Sequence, residues 1–259
     1  MKVSQAIANS KLDRLDARVL LAYVLGYSSA KLIARGEEEL SPRKEAEFLK
    51  LVARRRKGEP VAMIIGRKEF YGREFFVDGS TLVPRPDTET LIEAVKSELP
   101  ADFPGRFLDI GVGTGALLLT LLAEFPNASG VGTDIVQEAC TLARKNARAL
   151  GVEGKAEIIE ASYMPPGEFE VVVSNPPYIR TSDMAWVEKD VLDFEPASAL
   201  DGGADGLDAY RAIAAQIAPA QKIFLEINED QAADVREIFA RPAQLFKDLS
   251  GRDRVLYFS

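Results

Sequence analysis

Four consecutive residues, Asn175-Pro176-Pro177-Tyr178, follow directly on the apolar run Val171-Val172-Val173-Ser174. Pro176 biases Asn175 away from the helical region, and two successive prolines fix the backbone and remove two N–H donors. What remains is a stiff wall of acceptors. The Asn175 side-chain oxygen and the Pro176 carbonyl can each take one N–H of a planar amide or exocyclic amine, and Tyr178 offers a ring for stacking on it. The nitrogen of such a group is a weak nucleophile because its lone pair is delocalised, so it needs alignment for in-line attack on a methyl group more than it needs a base. The chain contains no histidine, which removes imidazole bases, His-based triads and His-ligated metals together. Cys140 is the only cysteine, so neither an intramolecular disulfide nor a Cys-rich metal cluster can form. No metal is expected.

A second constellation lies upstream. Phe107-Leu108-Asp109-Ile110 reads as a buried strand that runs into Gly111-Val112-Gly113-Thr114-Gly115 and then an apolar helix. Glycines let the chain turn sharply and let a ligand approach the backbone, while the helix start offers unpaired N–H groups. Asp134 ends the next strand about 20 residues on, where a carboxylate in such folds accepts hydrogen bonds from ribose hydroxyls. The two features together leave a dinucleotide or an adenosyl ligand. The spacing G-x-G-x-G differs from the G-x-G-x-x-G that cradles a pyrophosphate, which favours a ligand without phosphates. S-adenosyl-L-methionine, leaving as S-adenosyl-L-homocysteine, carries its own sulfonium charge and suits an acidic site that includes Asp109. Asp109 has an alternative duty in hydrogen-bonding the glycine loop. Asn175, between donor and acceptor, is expected to border the cofactor as well.

These residues need a frame. Strands are predicted at Arg106–Ile110, Gly130–Thr133, Ala156–Glu160 and Glu170–Ser174, with helices at Ala116–Glu124 and Gln137–Leu150 between them. That alternation is a doubly wound α/β pattern. Helix Leu207–Ile217, strand Lys222–Ile227 and helix Asp230–Phe239 follow. The last strands, Gln244–Leu249 and Arg254–Phe258, are joined by too few residues for a parallel crossover and must pair antiparallel. Ahead of this frame, Leu20, Leu21, Val24 and Leu25 share one helical face that Gly26 ends. Ser41-Pro42 opens another helix that carries Phe48, Leu51 and Val52 up to Gly58. A hairpin is expected between Arg73–Val77 and Ser80–Val83 with Asp78-Gly79 as its turn, and then a helix with Leu91, Ile92, Val95 and Leu99 on one face, capped by Asp87 or Thr88. The division expected is a helical domain at 1–69, a hairpin linker at 70–84 and a catalytic domain at 85–259.

With these motifs in place the sequence resembles the HemK/PrmC family of protein-(glutamine-N5) methyltransferases that modify peptide chain release factors. The resemblance runs from about Glu59 to Arg254 and rests on Glu59-Pro60-Val61, Pro84-Arg85-Pro86-Asp87-Thr88-Glu89, the Gly111–Gly115 loop, Asp134 and Asn175–Tyr178. It continues through Phe194-Glu195-Pro196, the segment from Ala199 to Asp208, and Leu225-Glu226-Ile227 with Gln231. It implies a class I S-adenosylmethionine-dependent methyltransferase fold, Rossmann-like and seven-stranded with an antiparallel C-terminal hairpin, plus the small helical domain. It implies as substrate the glutamine of a Gly-Gly-Gln loop in a release factor. By the same resemblance Gly111, Gly113, Gly115, Asp134 and Tyr163, or its neighbour Met164, contact the cofactor, and Asn175–Tyr178 hold the glutamine. Arg85, Thr88 and Glu89 are expected to shape the pocket floor. The long stretch from Ile179 to Tyr210 is expected to cover the bound loop, with Glu195 anchoring it or forming a plain surface ion pair. Ala62-Met63 stands where the family tends to carry an aromatic residue, and Asn228 where a glycine is common.

Composition sets the outer bounds. A chain of 259 residues with 47% hydrophobic content can fill one sizeable core and a smaller one. Thirty-two basic against 40 acidic side chains leave a formal charge of −8, which opposes a broad grip on a phosphate backbone. A nucleic-acid amino-methyltransferase acting on adenine or cytosine is therefore the alternative reading of Asn175–Tyr178, and a non-catalytic cofactor-binding protein is the other. No direct nucleic-acid or membrane partner is expected. Neither a leader nor an apolar run of membrane-spanning length is visible, so a cytoplasmic location is expected.

Overall fold

The computed structural model of the chain describes residues 1–218 and 220–259. In chain order the elements are helices α1 (Val3–Asn9), α2 (Arg14–Leu25), α3 (Ser29–Ala34), α4 (Pro42–Arg55) and α5 (Val61–Ile65), then strands β1 (Arg67–Phe70) and β2 (Arg73–Phe76). Helix α6 (Glu89–Glu98), β3 (Arg106–Ile110), α7 (Ala116–Glu124), β4 (Ser129–Asp134), α8 (Gln137–Ala149), β5 (Ala156–Glu160) and β6 (Val171–Ser174) follow. The chain closes with α9 (Lys189–Phe194), α10 (Asp208–Ala214), β7 (Lys222–Glu226), α11 (Ala232–Phe239), β8 (Ala243–Lys247) and β9 (Asp253–Phe258). Among the described residues, no helix is long and apolar enough to cross a membrane.

Two compact units emerge. The first holds Met1–Arg67 together with Glu188–Phe194. Its core gathers Val3, Leu20, Leu21, Val24, Leu32, Phe48 and Val52. The helix ends obey local chemistry: Gly26 takes a left-handed φ of +66° at the end of α2, and Ser41 Oγ accepts the Lys44 N–H ahead of Pro42 in α4. The inclusion of α9 departs from the continuous division expected. Its Asp190 pairs with Arg55 at 3.5 Å, and Arg55 also binds Asp16 at 2.7 Å.

The second unit, Lys68–Val187 with Glu195–Ser259, is built on one sheet of seven strands in the order β5-β4-β3-β6-β7-β9-β8. The pairs from β5 to β7 are parallel, and β9 runs antiparallel to both β7 and β8. Parallel strands covered by helices on both faces read as continuous apolar runs, and Val171–Ser174 is buried throughout. One face packs on Leu91, Ile92, Val95 and the α7 leucines, the other on Tyr210, Ile213, Val235 and Phe239.

The hairpin sits earlier than expected. Strands β1 and β2 turn at Tyr71-Gly72, whose φ values of +51° and +72° supply the left-handed pair that a two-residue hairpin needs. Asp78-Gly79 makes no hairpin, because the Asp78 carboxylate instead accepts the Ser80 N–H at 2.9 Å in a local side-chain turn. The cap expected on α6 is also absent. A single 3₁₀ turn at Pro86–Thr88 leads into that helix, and neither Asp87 nor Thr88 caps it through its side chain.

Candidate functional site

Strands β3 and β6 are neighbours in space though distant in sequence: β4 and β5 build outward on one side of β3, and the chain then crosses back to lay β6 on the other.

 In sequence, Val171 at the start of β6 stands 61 positions after Ile110 at the end of β3 (171 − 110). That reversal of strand order opens a crevice at the carboxyl ends of the strands, where open α/β sheets bind ligands. The register pairs Ile110 with Ser174, so the residues that follow each, Gly111 and Asn175, face one another across it. A cavity of about 240 Å³ occupies the crevice. Its lining includes the whole Gly111–Thr114 turn, Asp109, Asp134, Tyr163, Asn175, Pro176, Pro177, Arg85 and Thr88.

The glycine turn is held by hydrogen bonds and by space. Gly111, Gly113 and Gly115 all have positive φ, at +76°, +51° and +85°, where a side chain would be strained. The N–H groups of Gly111 and Val112 both reach the Thr133 carbonyl, at 2.9 and 2.8 Å. Val112 turns its side chain inward against Gly132, where an added Cβ would lie 2.5 Å from Val112 Cγ2. Gly115 is the residue of the loop that does not line the cavity; it opens α7, and a Cβ there would meet Leu119 Cδ1 at 2.7 Å.

Two carboxylates serve this turn. Asp134 Oδ2 accepts the Gly113 N–H at 2.9 Å and Oδ1 the Val136 N–H at 3.0 Å. Each oxygen keeps a lone pair for a further donor. Asp109 Oδ2 accepts the Leu118 N–H in the first turn of α7 at 3.1 Å, so its backbone partner is the helix rather than the glycine loop. Its Oδ1 is buried with no partner in the protein. Burial pushes the Asp109 carboxyl up to about 7, the Leu118 bond works against the shift, and the Asp134 charge adds to it. An orphaned buried acceptor at the wall of a cavity invites a cationic or hydrogen-bonding ligand.

Asn175, Pro176 and Pro177 border the cavity; Tyr178 does not. The expected stacking ring is instead packed on the second core cluster, and its hydroxyl points to Glu226 Oε1 at 3.4 Å. Burial, aided by the Glu226 charge, pushes the Tyr178 phenol well above its usual range. Asn175 Nδ2 donates to Thr88 Oγ1 at 3.1 Å, so the Thr88 hydroxyl serves the site rather than its helix. With Nδ2 engaged, Oδ1 is the amide atom left to accept. Arg85 lines the cavity and grips Glu195 with Nη2, at 2.7 and 2.9 Å to its two oxygens. Glu195 is buried and lies outside the lining, so it anchors Arg85 and the chain ahead of Pro196, Ser198 and Ala199, which do line it. Glu89 also lies outside it and accepts the Tyr71 N–H at 3.0 Å. Tyr163, at φ +61°, lines the cavity while Met164 does not.

The segment from Ile179 to Tyr210 folds back on the tetrapeptide. Ile179 bridges Asp201 in parallel, and Gln231 Nε2 donates to the carbonyls of Tyr178 and Gly206, at 3.0 and 3.2 Å. Asn146, which carried no role in the sequence reading, supports the glycine turn from behind. It is fully buried, it exchanges hydrogen bonds with the Phe76 backbone at 2.8 and 3.0 Å, and it donates to the Thr114 carbonyl at 2.8 Å. Its place on the buried face of α8 among alanines was the one available signal. Phe70 and Thr81, which also line the cavity, carry no motif that would mark them.

Comparison with known proteins accords with this geometry. Residues 2–66 match the family model of the PrmC N-terminal domain, and residues 86–192 that of the methyltransferase small domain. A release factor glutamine methyltransferase of Rhodospirillum rubrum is 41% identical over 260 residues, covering 96% of this chain and 80% of the relative. One from Neisseria gonorrhoeae is 39% identical over 268 residues, 98% of this chain and 96% of the relative. Among solved structures, the hMettl16 catalytic domain in complex with the MAT2A 3′UTR hairpin 6 aligns with a TM-score of 0.59 over 85% of this chain and 82% of that one. At 13% identity this last likeness is one of fold.

Proposed function

This chain belongs to the release factor glutamine methyltransferase family, and from that premise we propose that its cavity brings S-adenosyl-L-methionine and the side chain of a release-factor glutamine together for methyl transfer to the amide nitrogen. The enzyme is a protein-glutamine methyltransferase, and the glutamine is that of the Gly-Gly-Gln loop. The observation that carries the reading is the placement of Asn175 and Gly111 on adjacent strand ends across one crevice.

The residues present fit the cofactor. Gly111 and Gly113, both with positive φ, bring bare backbone to the cavity edge, Asp134 has acceptor capacity for ribose hydroxyls, and the orphaned Asp109 Oδ1 suits the positive end of the ligand. When bound, S-adenosyl-L-methionine supplies an electrophilic methyl group and a good leaving group. The rest falls to the protein. Asn175 Oδ1 and the Pro176 carbonyl accept the two N–H groups of the glutamine amide and turn its nitrogen toward the donor, an alignment that replaces a bimolecular search with a bound geometry. Pro176 and Pro177 add no N–H of their own to the wall of acceptors that meets the substrate NH₂. No general base is called for, because the nitrogen gives up its proton to solvent after the new bond forms.

The test is transfer of a labelled methyl group to a purified release factor and to a variant with the loop glutamine changed to glutamate, followed by mass spectrometry. Label on the glutamine of the first protein alone is expected. Equal label on both would overturn the assignment of the substrate.

A further inference from the structure

Beneath Asn175 lies a chain of buried polar groups that the transfer itself does not use. Asn175 Nδ2 donates to Thr88 Oγ1 at 3.1 Å. Thr88 is itself buried, and its hydroxyl faces the carboxyl of Glu226, the last residue of β7, and favours its ionised form. Glu226 is 1% exposed; Oε1 receives the Tyr178 hydroxyl at 3.4 Å, and Oε2 is fully buried with no hydrogen-bond partner, an open acceptor for the Thr88 hydrogen. The Glu226 backbone carbonyl receives the Tyr210 hydroxyl at 2.8 Å. A buried carboxyl is costly unless its oxygens are hydrogen-bonded, and Glu226 is left with one that is not.

The direction of this chain follows from donor chemistry. A carboxylate only accepts, and a hydroxyl has one hydrogen to give. If Glu226 is ionised, the Thr88 hydrogen must point to it, and the Thr88 oxygen can then only accept from Asn175. Asn175 must offer its NH₂ to Thr88 and keep its carbonyl oxygen for the cavity. If Glu226 is protonated, it can donate to Thr88, whose hydrogen is free to turn to Asn175. Only Asn175 Oδ1 can receive that hydrogen, which would turn the NH₂ toward the substrate NH₂ and present donor to donor.

We propose that Glu226 and Thr88 are positioning residues that select the productive amide orientation of Asn175: the ionised carboxyl sets the Thr88 hydroxyl, and the hydroxyl sets the asparagine. The inference rests on the reading above in which Asn175 accepts an N–H of the glutamine amide. The surroundings make the device sensitive to pH. Burial pushes the Glu226 carboxyl up to about 7, while the nearby Thr88 hydroxyl, the Arg254 charge and the Tyr178 hydroxyl pull it back and the Asp87 charge adds to the rise. Arg254 is shared, pairing with Asp248 at 3.1 Å and Asp87 at 3.5 Å. Tyr178 and Tyr210, both with phenols pushed well up by burial, stay neutral through this range.

The experiment compares the full-length wild type with E226Q, T88V and T88S. Methylation of a release factor is followed from about pH 5 to about pH 9 at saturating cofactor, and cofactor affinity is measured separately by calorimetry. Wild-type kcat is expected to rise through an acid limb near the Glu226 value. E226Q should lose that limb and turn over about tenfold more slowly at its plateau, because a glutamine can accept or donate and no longer enforces one direction. T88V should lose about tenfold or more at every pH with cofactor affinity unchanged, and T88S should recover most of it. A T88V enzyme with wild-type kcat, or an E226Q enzyme that keeps the acid limb, would overturn the proposal. Infrared difference spectra of the wild type against E226Q, taken without substrate, should show a protonated carboxyl that titrates over the same range; its absence would also overturn it. A wild type that leaves the release factor unmodified would count against the substrate reading, and the infrared titration still decides the state of Glu226.

Discussion

Asn175 and Asp134 border the same cavity but are predicted to fail in different ways when changed. Asn175 meets the transferring amide and touches the protein through Thr88, so N175A should reduce methylation by about a hundredfold or more while cofactor affinity stays within about twofold. N175D should be no better, since a carboxylate cannot donate to the Thr88 oxygen. Asp134 holds the Gly113 N–H, and its loss removes charge-assisted hydrogen bonds worth roughly 1.5–3 kcal/mol each. D134A should therefore weaken cofactor binding by about tenfold or more, measured by calorimetry, with a smaller effect on kcat at saturation. A cofactor loss in N175A equal to that in D134A would contradict the division of labour. Both residues were legible in the sequence: Asn175 opens a proline pair directly after a buried strand, and Asp134 ends the strand that follows the glycine turn. Their supports were not. Thr88 lies 87 residues from Asn175, and its hydroxyl reads equally well as a helix cap. Tyr178 reads as a stacking ring until the sheet is seen to draw it down onto Glu226.

At the scale of elements, the tetrapeptide owes its rigidity to what packs on it as much as to its prolines. A Cβ on Gly202 would lie 2.7 Å from the Pro177 carbonyl oxygen and 2.9 Å from the Tyr178 Cα, and one on Gly206 would collide with the Tyr178 carbonyl and lie 2.7 Å from Gln231 Nε2. Gly206 also has φ +78°. G206A must therefore displace Gln231 or the backbone of Tyr178. It is expected to destabilise the protein by roughly 1–3 kcal/mol, read as a lower melting temperature, and to lower kcat while cofactor affinity holds, because the glycine turn at Gly111–Gly115 is built from other strands. Unchanged kcat in a folded G206A protein would show that the brace has no bearing on transfer. The alternation of strands and helices gave the doubly wound layout, since buried parallel strands leave continuous apolar runs, and the short link between the last two strands gave the antiparallel end. The hairpin was misplaced for a physical reason: Asp-Gly is a good two-residue turn, but at Asp78 the side chain competes for the Ser80 N–H, and Tyr71-Gly72 supplies the left-handed pair. The fold-back of Gly202 and Gly206 depends on contacts between distant segments that no local pattern records.

For the molecule as a whole, two carboxyls buried under the crevice make stability depend on pH in an unusual sense. Asp109 and Glu226 are both pushed up to about 7 by burial, whereas in the unfolded chain each ionises near 4. Between those values the folded state binds more protons than the unfolded one, so stability present below about pH 4 is lost as pH rises through about 7 and is level above it. The size is on the order of 3 kcal/mol for each group. Carboxylates held low by partners, such as Glu124 beside Lys96 and Arg73, work in the opposite sense and only in stronger acid. The ligand-free protein is therefore expected to be most stable in mild acid, with denaturant midpoints falling from about pH 5 to about pH 8. D109N and E226Q should each flatten part of that fall. The residual slope would belong to self-repulsion of a chain with formal charge −8, which salt reduces and the substitutions do not. S-adenosyl-L-methionine should restore more stability at pH 8 than at pH 5, because its positive end meets an ionised Asp109 only at the higher pH. D109N should lose this dependence and E226Q should keep it. A cofactor-induced shift in midpoint that is the same at both pH values in the wild type would show that Asp109 does not meet the ligand's charge.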